Sequence, residues 1–363
     1  MKNIYIYLLM LVLYACTEKK IVQSGDKLLI NYADCIKKTM SEIPDSILGQ
    51  REFILLDNNN RDCFVSMITK VAFENNCLYV FDPKLLRIVA FDRNGKGIGH
   101  VGDRGQGYNE YVNISDFCLL DNGDIYFIDG TLDKLFIFDK ELKFKNSIEL
   151  PFEAEMFHIL NNGNILWGLC SWNDKKCSGM KIAQTDQDLH IVDSVIEYGE
   201  DFDPNYQFSF NKFVETADCI AYNQTIDNNI YLFDKNGKMR QTITMDFGNA
   251  NVPSKHKSNI EANLKDFENY CLLKSYVVVT ENIIAGQLRK YGKTVPFIYD
   301  RMNNISYEGL PSEVPTYTTA TGYNNSQWIT YLEPTEEQDS NLPDSVNIHL
   351  NHEGMVLCFQ TLK

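Results

Sequence analysis

Residues 78–92 read LYVFDPKLLRIVAFD, and residues 125–139 read IYFIDGTLDKLFIFD. The two stretches share one pattern: an aromatic-rich strand ending in Asp, a short turn, and a second strand ending in Phe-Asp. That final Asp recurs at Asp92, Asp139, Asp186, Asp234 and Asp300, at spacings of 47, 47, 48 and 66 residues. Turn sequences of the tight-hairpin kind follow two of them, Arg93-Asn94-Gly95 and Lys235-Asn236-Gly237. Another alternating run precedes each pair, as in Val112 to Leu119, closed by Asp121-Asn122-Gly123-Asp124. Each unit thus carries about four short strands in under about fifty residues, which is the size of a β-propeller blade.

Six central hairpins follow from the pattern, over 78–102, 125–150, 164–192, 219–246 and 283–310, with a degenerate one within 326–362. The fold class expected is therefore all-β, a six-bladed β-propeller over residues 50–363. The strand REFILL at 51–56 has no blade of its own and is expected to pair with MVLCFQTLK at the C-terminus. Such pairing closes the ring and removes the exposed edges of an open sheet.

The loop HVGDRGQGYNEYVNIS at 100–115 places Gly102, Gly105 and Gly107 around Arg104. A phosphate-binding loop needs a helix next, with Lys-Ser/Thr after the last glycine. Here Tyr108-Asn109-Glu110 follows, and then a strand. The glycines are read instead as the bend of a crossing from the outer strand of one blade to the inner strand of the next.

At the N-terminus, MKNIYIYLLMLVLYAC has one cation, Lys2, and an apolar run from Ile4 to Leu13, too short to span a bilayer. Its Leu13-Tyr14-Ala15-Cys16 resembles a bacterial lipobox, although Tyr14 is bulkier than usual there. The resemblance implies a signal peptide over 1–15, lipidation at Cys16, and a tether and lead-in over 16–49. Thr17-Glu18-Lys19-Lys20 carries no acidic export run, so the expected location is the outer membrane, on its periplasmic face rather than the cell surface. A formal net charge of −15, with no basic cluster, excludes nucleic acid and anionic membrane surfaces as partners. Attachment to the membrane is expected through the lipid alone.

The stretch GDRGQGYNEYVNISDFCLLDNGDIYFID at 102–129 resembles the NHL-type segment that runs from a Gly-rich crossing through an inner strand to a strand ending in Asp, and with it stand the opening strand REFILLD and the inner segment ending LYVFD. More closely, these together resemble the lipid-anchored six-bladed β-propeller proteins of Gram-negative gut-type bacteria. Their crossing is usually GRGPGEY. This chain keeps Arg104, Gly105, Gly107, Glu110 and Tyr111, has Gln106 in place of proline, and inserts Tyr108 and Asn109. The resemblance is clear over residues 50–150, weaker to 310, and implies fold and location rather than activity.

Chemical motifs are scarce: no HExxH, GxSxG, EF-hand or zinc spacing occurs. His349 and His352 in NIHLNHEG would point to opposite faces of one strand, so joint metal ligation needs a turn between them, and a solvated turn is the reading preferred. His158 falls in the expected inner strand of the third blade, and with Asn113, Asp116, Asn211 and Glu215 it forms a set able to hold a divalent cation such as calcium at the channel mouth. Cys170 and Cys177 flank a polar loop and are a candidate disulfide; buried free thiols are the other reading. Ser254 to Cys271 breaks the repeat and is expected to be a helix capped by Ser258, with Ile260, Leu264, Phe267 and Cys271 on one face. That helix either packs on the rim or lids the channel.

Two functions remain open. The first is a non-catalytic binding or scaffold lipoprotein with no cofactor, taking a protein, peptide or glycan on the face where the crossing loops gather. Arg104, Tyr108, Glu110, Tyr317 and Tyr323 are its candidate contacts, since tyrosine with amides suits sugar and peptide surfaces. The second is a metal-dependent lyase or hydrolase with its site at the channel mouth.

Overall fold

The computed structural model describes residues 25–363, apart from Lys175, 204–205, 207–212, Ser275, 310–319 and Asn325. Six sheets are arranged as the blades of a propeller. Blade 1 consists of Lys70–Glu74, Cys77–Asp82, Arg87–Asp92 and Gly97–His100. Blade 2 consists of Asp116–Leu119, Ile125–Asp129, Lys134–Phe138 and Phe144–Glu149, and blade 3 of Ala154–Ile159, Ile165–Leu169, Met180–Thr185 and Ile191–Glu197. Blade 4 holds Phe213–Glu215, Ile220–Gln224, Asn229–Phe233 and Met239–Asp246. In blade 5 a broken inner strand, Cys271–Leu273 and Val278–Val279, lies on Ile283–Lys290, followed by Lys293–Asp300 and Ile305–Glu308.

Blade 6 is shared between the chain's two ends. Ala320–Asn324, Gln327–Leu332 and Val356–Leu362 come from the C-terminal side, and Leu48–Leu55 is the outer strand. That strand runs antiparallel to Val356–Leu362, pairing Leu55 with Val356 and Arg51 with Gln360, so the expected closure is present. The alternation of apolar residues on both faces of each blade follows from its position between two neighbours. Six buried clusters do the packing, one per blade junction; Phe81, Phe117, Phe127 and Phe136 lie in that between blades 1 and 2. Face-to-face burial of this kind is the main stabilising term for sheets stacked round a ring.

Two additions were not expected from sequence. Asp26–Asn31 runs parallel to Met239–Asp246 and extends blade 4, and Ile36–Thr39 runs parallel to Ile305–Glu308 and extends blade 5. From Asp26 onward the segment read as lead-in is thus part of the sheets. Between the two strands Tyr32 enters the junction of blades 4 and 5, with Phe247, Tyr299 and Phe297 at ring distances of 5.1, 5.8 and 5.9 Å. Its hydroxyl donates to Glu308 Oε1 at 2.9 Å, and Lys37 and Lys290 each reach the same carboxylate.

The repeated aspartates explain how the loops are held. Those ending the third strands close the outer hairpins: Asp139 Oδ1 accepts the N–H groups of Glu141 and Lys143, and Asp92, Asp186 and Asp234 do the same in their turns. Those ending the second strands have a larger role. Asp129 Oδ1 accepts from Thr131 and Leu132 of its own hairpin, while Oδ2 accepts from Val112 and Asn113 of the incoming crossing at 2.6 and 3.1 Å. Asp82 repeats this with Lys84 and Leu85 on one oxygen and Ser66 and Met67 on the other.

The glycine-rich crossing is a bend. Gly105 N–H donates to the Tyr111 carbonyl, and Gly107 N–H donates to Glu110 Oε2 at 2.7 Å. A Cβ on Gly105 would lie 2.0 Å from that oxygen, so glycine is required for the carboxylate to fold back. The loop's own acid occupies the N–H a phosphate would need, and the chain continues into Asp116–Leu119.

Two expectations are corrected. The insertion is not one helix capped by Ser258: Ser254–Lys257 is a single short α-helix that Ser258 terminates, followed by 3-10 turns at Glu261–Asn263 and Asp266–Asn269. The Ile260 N–H goes to Asp203 Oδ2 at 2.7 Å instead of to a helical carbonyl. Ile260 and Phe267 are buried with Val252 and Leu272, Leu264 is 42% exposed, and Cys271 belongs to a different core, so no single apolar face exists. NIHLNHEG is likewise helical, in Asp344–Asn351, with Val346 and Leu350 packed against Leu332 and Val356. His349 Nε2 lies 2.9 Å from the Leu56 carbonyl and His352 Nδ1 lies 2.7 Å from that of Ile348.

Tyr32 is the test of how far the N-terminal strands secure the ring. Tyr32→Ala should cost about 3–5 kcal/mol, read as a lower urea midpoint, because a large buried ring leaves a cavity at a blade junction. Tyr32→Phe should cost only about 1 kcal/mol, the share of the hydroxyl bonds.

Candidate functional site

Blade 4 repeats blade 2 without a gap from Ile220 to Asp234 against Ile125 to Asp139. In this register Asn228 stands at the place of Asp133, and both hold the same left-handed backbone, at φ 54° and 49°. Gln224 stands at the place of Asp129, and Asp227 at that of Leu132. Blade 4 therefore keeps the strand pairing and loses the acid that ties down the crossing in blades 1 and 2. The Gln224 amide donates to Asp227 within its own hairpin.

A cavity of about 400 Å³ opens here, between the crossing from blade 3 to blade 4 and the Gln224–Asp227 hairpin. Lys181, from the third strand of blade 3, lies in its wall with Tyr198 and Phe202 of the crossing, whose rings are 4.2 Å apart. Lys257 and Ile260 of the insertion form another wall. The insertion thus borders this peripheral cleft; the reading that it lids the channel is replaced by this placement.

The charges in the cleft are unevenly satisfied. Asp227 Oδ1 accepts from Lys257 Nζ at 2.7 Å and Oδ2 from Gln224. Asp203 is engaged by the Ile260 N–H, and Tyr198 donates its hydroxyl to the Leu169 carbonyl at 2.7 Å. The Lys181 ammonium lies 5.2 Å from the centroid of the Tyr198 ring. Burial pushes its pKa down to about 8, against the opposing pull of Asp227 and Glu155. An amine poised near neutrality, an aromatic wall and an amide make a site able to orient a polar ligand that has a flat apolar face.

The residues selected from sequence fall in several places. Tyr108 is 82% exposed and, with Gln106, Glu110, Leu132 and Lys134, borders a second cavity of about 540 Å³ beside blade 2. Arg104 is exposed, in a bridge with Tyr111, and Glu110 is committed to the loop through Gly107. Tyr323 lies in the inner strand of blade 6, paired in register with Trp328. Tyr317, Asn211 and Cys16 lie outside the described residues.

Asp116 pairs with Lys70 at 2.8 Å, and the Asn113 side chain accepts its neighbour's Ile114 N–H. His158 Nε2 lies 3.1 Å from Glu215 Oε2, and Lys235 holds the other oxygen at 2.8 Å. Burial alone would raise the Glu215 carboxyl; His158 and Lys235 outweigh it and hold the pKa at about 2. Among the described residues, Asp116, His158 and Glu215 do not converge, and the set of three acid or imidazole ligand atoms within 4.8 Å is Asp186, Asp188 and His190 in an exposed hairpin. Cys170 and Cys177 are both buried and are not joined in a disulfide, and burial raises the Cys170 pKa to about 12.

Lys181, Tyr198, Phe202 and Asp227 were not selected from sequence. Their signal was the exchange of the repeated Asp for Gln224 in an otherwise unbroken repeat.

The pKa of Lys181 fixes a pH signature. Below about pH 8 the amine is charged both folded and unfolded, and the folded state bears the cost of burying it. As pH rises from 8 to the ordinary lysine value of 10.5, the folded protein loses the proton first and the cost fades. Lys181→Met should therefore stabilise the protein below pH 8, by on the order of 2 kcal/mol, and progressively less towards pH 10.5. Chemical unfolding of both proteins across that range checks the sign.

No curated protein matches this chain. Among solved structures it is similar to a Bacteroides fragilis protein whose name points to export, with 19% identity, 93% of this chain and 99% of that one covered, and a TM-score of 0.75. It is also similar to a DUF4221 member from Bacteroides vulgatus, at 10% identity, 88% and 99% coverage and a TM-score of 0.51. Virginiamycin B lyase from Staphylococcus aureus matches at 11% identity, 86% and 99% coverage and a TM-score of 0.45. The first two of these likenesses support the propeller fold. Over residues 30–348 the chain matches, and so belongs to, the family described as a domain of unknown function, DUF4934.

Proposed function

We propose that this protein is a non-catalytic binding protein of the cell envelope, held at the outer membrane through Cys16, that takes a peptide or glycan on its crossing-loop face. The observation that carries this reading is the cleft between blades 3 and 4. There a half-buried amine, two packed aromatic rings and an amide border one cavity of ligand size. The potential metal ligands at the channel are already paired with side-chain cations or with one another, an arrangement suited to holding blades together. Export is supported by the apolar N-terminal run and by the fold shared with a neighbour whose name points to export.

A thermal-shift panel of divalent ions, sugars and peptides at fixed protein concentration tests the reading. A cleft ligand at about a hundred times its Kd adds roughly 2.7 kcal/mol to stability. Tyr198→Ala with Phe202→Ala should abolish that shift, while Tyr108→Ala at the second cavity should leave it intact. A tightly held stoichiometric transition metal, with a hydrolytic or lyase activity lost in His158→Ala, would overturn it. For the anchor, metabolic labelling with a palmitate analogue should mark the protein, and Cys16→Ala should remove the label.

A further inference from the structure

We infer that the cleft between blades 3 and 4 is a site for a monocarboxylate carried on a ring, with the carboxylate on Lys181 and the ring face against Tyr198 and Phe202. This rests on the cleft being the binding site proposed above and assigns the chemistry of its ligand.

The argument is an inventory of charge. Every acid that reaches the inner part of the cleft has a partner. Asp227 is held by Lys257 and Gln224, and Asp203 by the Ile260 backbone. Lys257 is spent on Asp227. Lys181 differs: among the described residues it makes neither a hydrogen bond nor an ion pair, and the group placed against its ammonium is the Tyr198 ring. Asp227 from the blade 4 hairpin and Glu155 from the inner strand of blade 3 act on it through space without bonding to it. A cation in a concave, partly desolvated site without its own anion is completed by a ligand that brings one.

The rest of the cleft restricts that ligand. Glu200 and Asp201 are exposed at the rim. They repel a phosphate dianion or an acidic chain, and a single carboxylate meets the least of this opposition. Tyr198 and Phe202 present ring area, which suits the flat side of a six-membered ring. A cavity of about 400 Å³ admits one such ring with a substituent.

The test uses D-glucuronate and its uncharged counterpart D-glucose on the mature protein. Acetylation of Lys181 by an N-hydroxysuccinimide ester, followed by peptide mass spectrometry, reads the site directly. Glucuronate at millimolar concentration should slow labelling of Lys181 and raise the melting temperature, and glucose should bind about ten- to a hundredfold more weakly, the usual worth of a charge-assisted bond. Lys181→Met should lose the glucuronate shift and Lys181→Arg should keep it. Because the bound form needs the ammonium, the affinity should fall as pH rises through about 8. Equal protection by both sugars, protection by neither, or a glucuronate shift that survives in Lys181→Met would overturn the assignment. A neutral sugar or peptide whose binding needs Tyr198 and ignores Lys181 would remove the carboxylate and keep the cleft; indifference to both residues would remove both.

Discussion

A ring of blades depends on holding each incoming crossing loop against the blade it enters, and here a buried carboxylate does so. Asp129 takes four backbone N–H groups, two from its hairpin and two from the crossing. A single hydrogen-bonded pair would fix one loop; a carboxylate with both oxygens shared fixes two loops to each other. Burying the charge is costly unless its lone pairs are filled, and four donors fill them. Blade 3 solves the same problem with a neutral group. Asn173 accepts from the Glu153 N–H and donates to the carbonyls of Glu153 and Cys170. The joint is therefore conserved in function within this one chain while its chemistry changes.

Closure of the ring poses a second constraint, and the N-terminal segment meets it from outside. Leu48–Leu55 completes blade 6, while the two preceding strands lie along blades 4 and 5. Three consecutive blades are thus bound by one stretch of chain that also places Tyr32 and Met40 in the intervening junctions. Parting blades 4 and 5 would expose Tyr32, whose ring lies against Phe247 at the end of blade 4 and against Phe297 and Tyr299 of blade 5. The C-terminal strand alone could not resist that, because it touches only the last blade.

The parts of this architecture legible in sequence are those written locally. Asp-ended strands and tight turns recur because backbone geometry demands those residues at those places, so blade number and closing strand follow from the sequence. The strands at 26–39 escaped notice because parallel pairing at an outer edge needs no turn signal and leaves residues such as Leu29 and Ile36 exposed. The insertion was misread because the Ile260 N–H is claimed by Asp203, almost sixty residues away, and periodicity is blind to such a competitor. The helix at Asp344–Asn351 did carry its signal in Val346 and Leu350, one turn apart, which the histidines beside them obscured.

The cleft shows why a departure from a repeat is more informative than the repeat. Asp92, Asp139, Asp186 and Asp234 all close outer hairpins, and a residue that fulfils one structural duty in every copy says nothing about ligands. Gln224 belongs to the other series, that of Asp82 and Asp129, and replaces its acid; the hairpin following it turns its polar groups onto Lys257 and the cavity. The channel offers the opposite case. Lys70 with Asp116 and His158 with Glu215 satisfy one another across blade boundaries, and Lys235 takes the other Glu215 oxygen within blade 4, so their charges are consumed by the fold. Binding needs polar groups the fold has not consumed. In this chain that condition is met at Lys181, on the periphery, where a crossing and an insertion meet over a blade that has exchanged its acid for an amide.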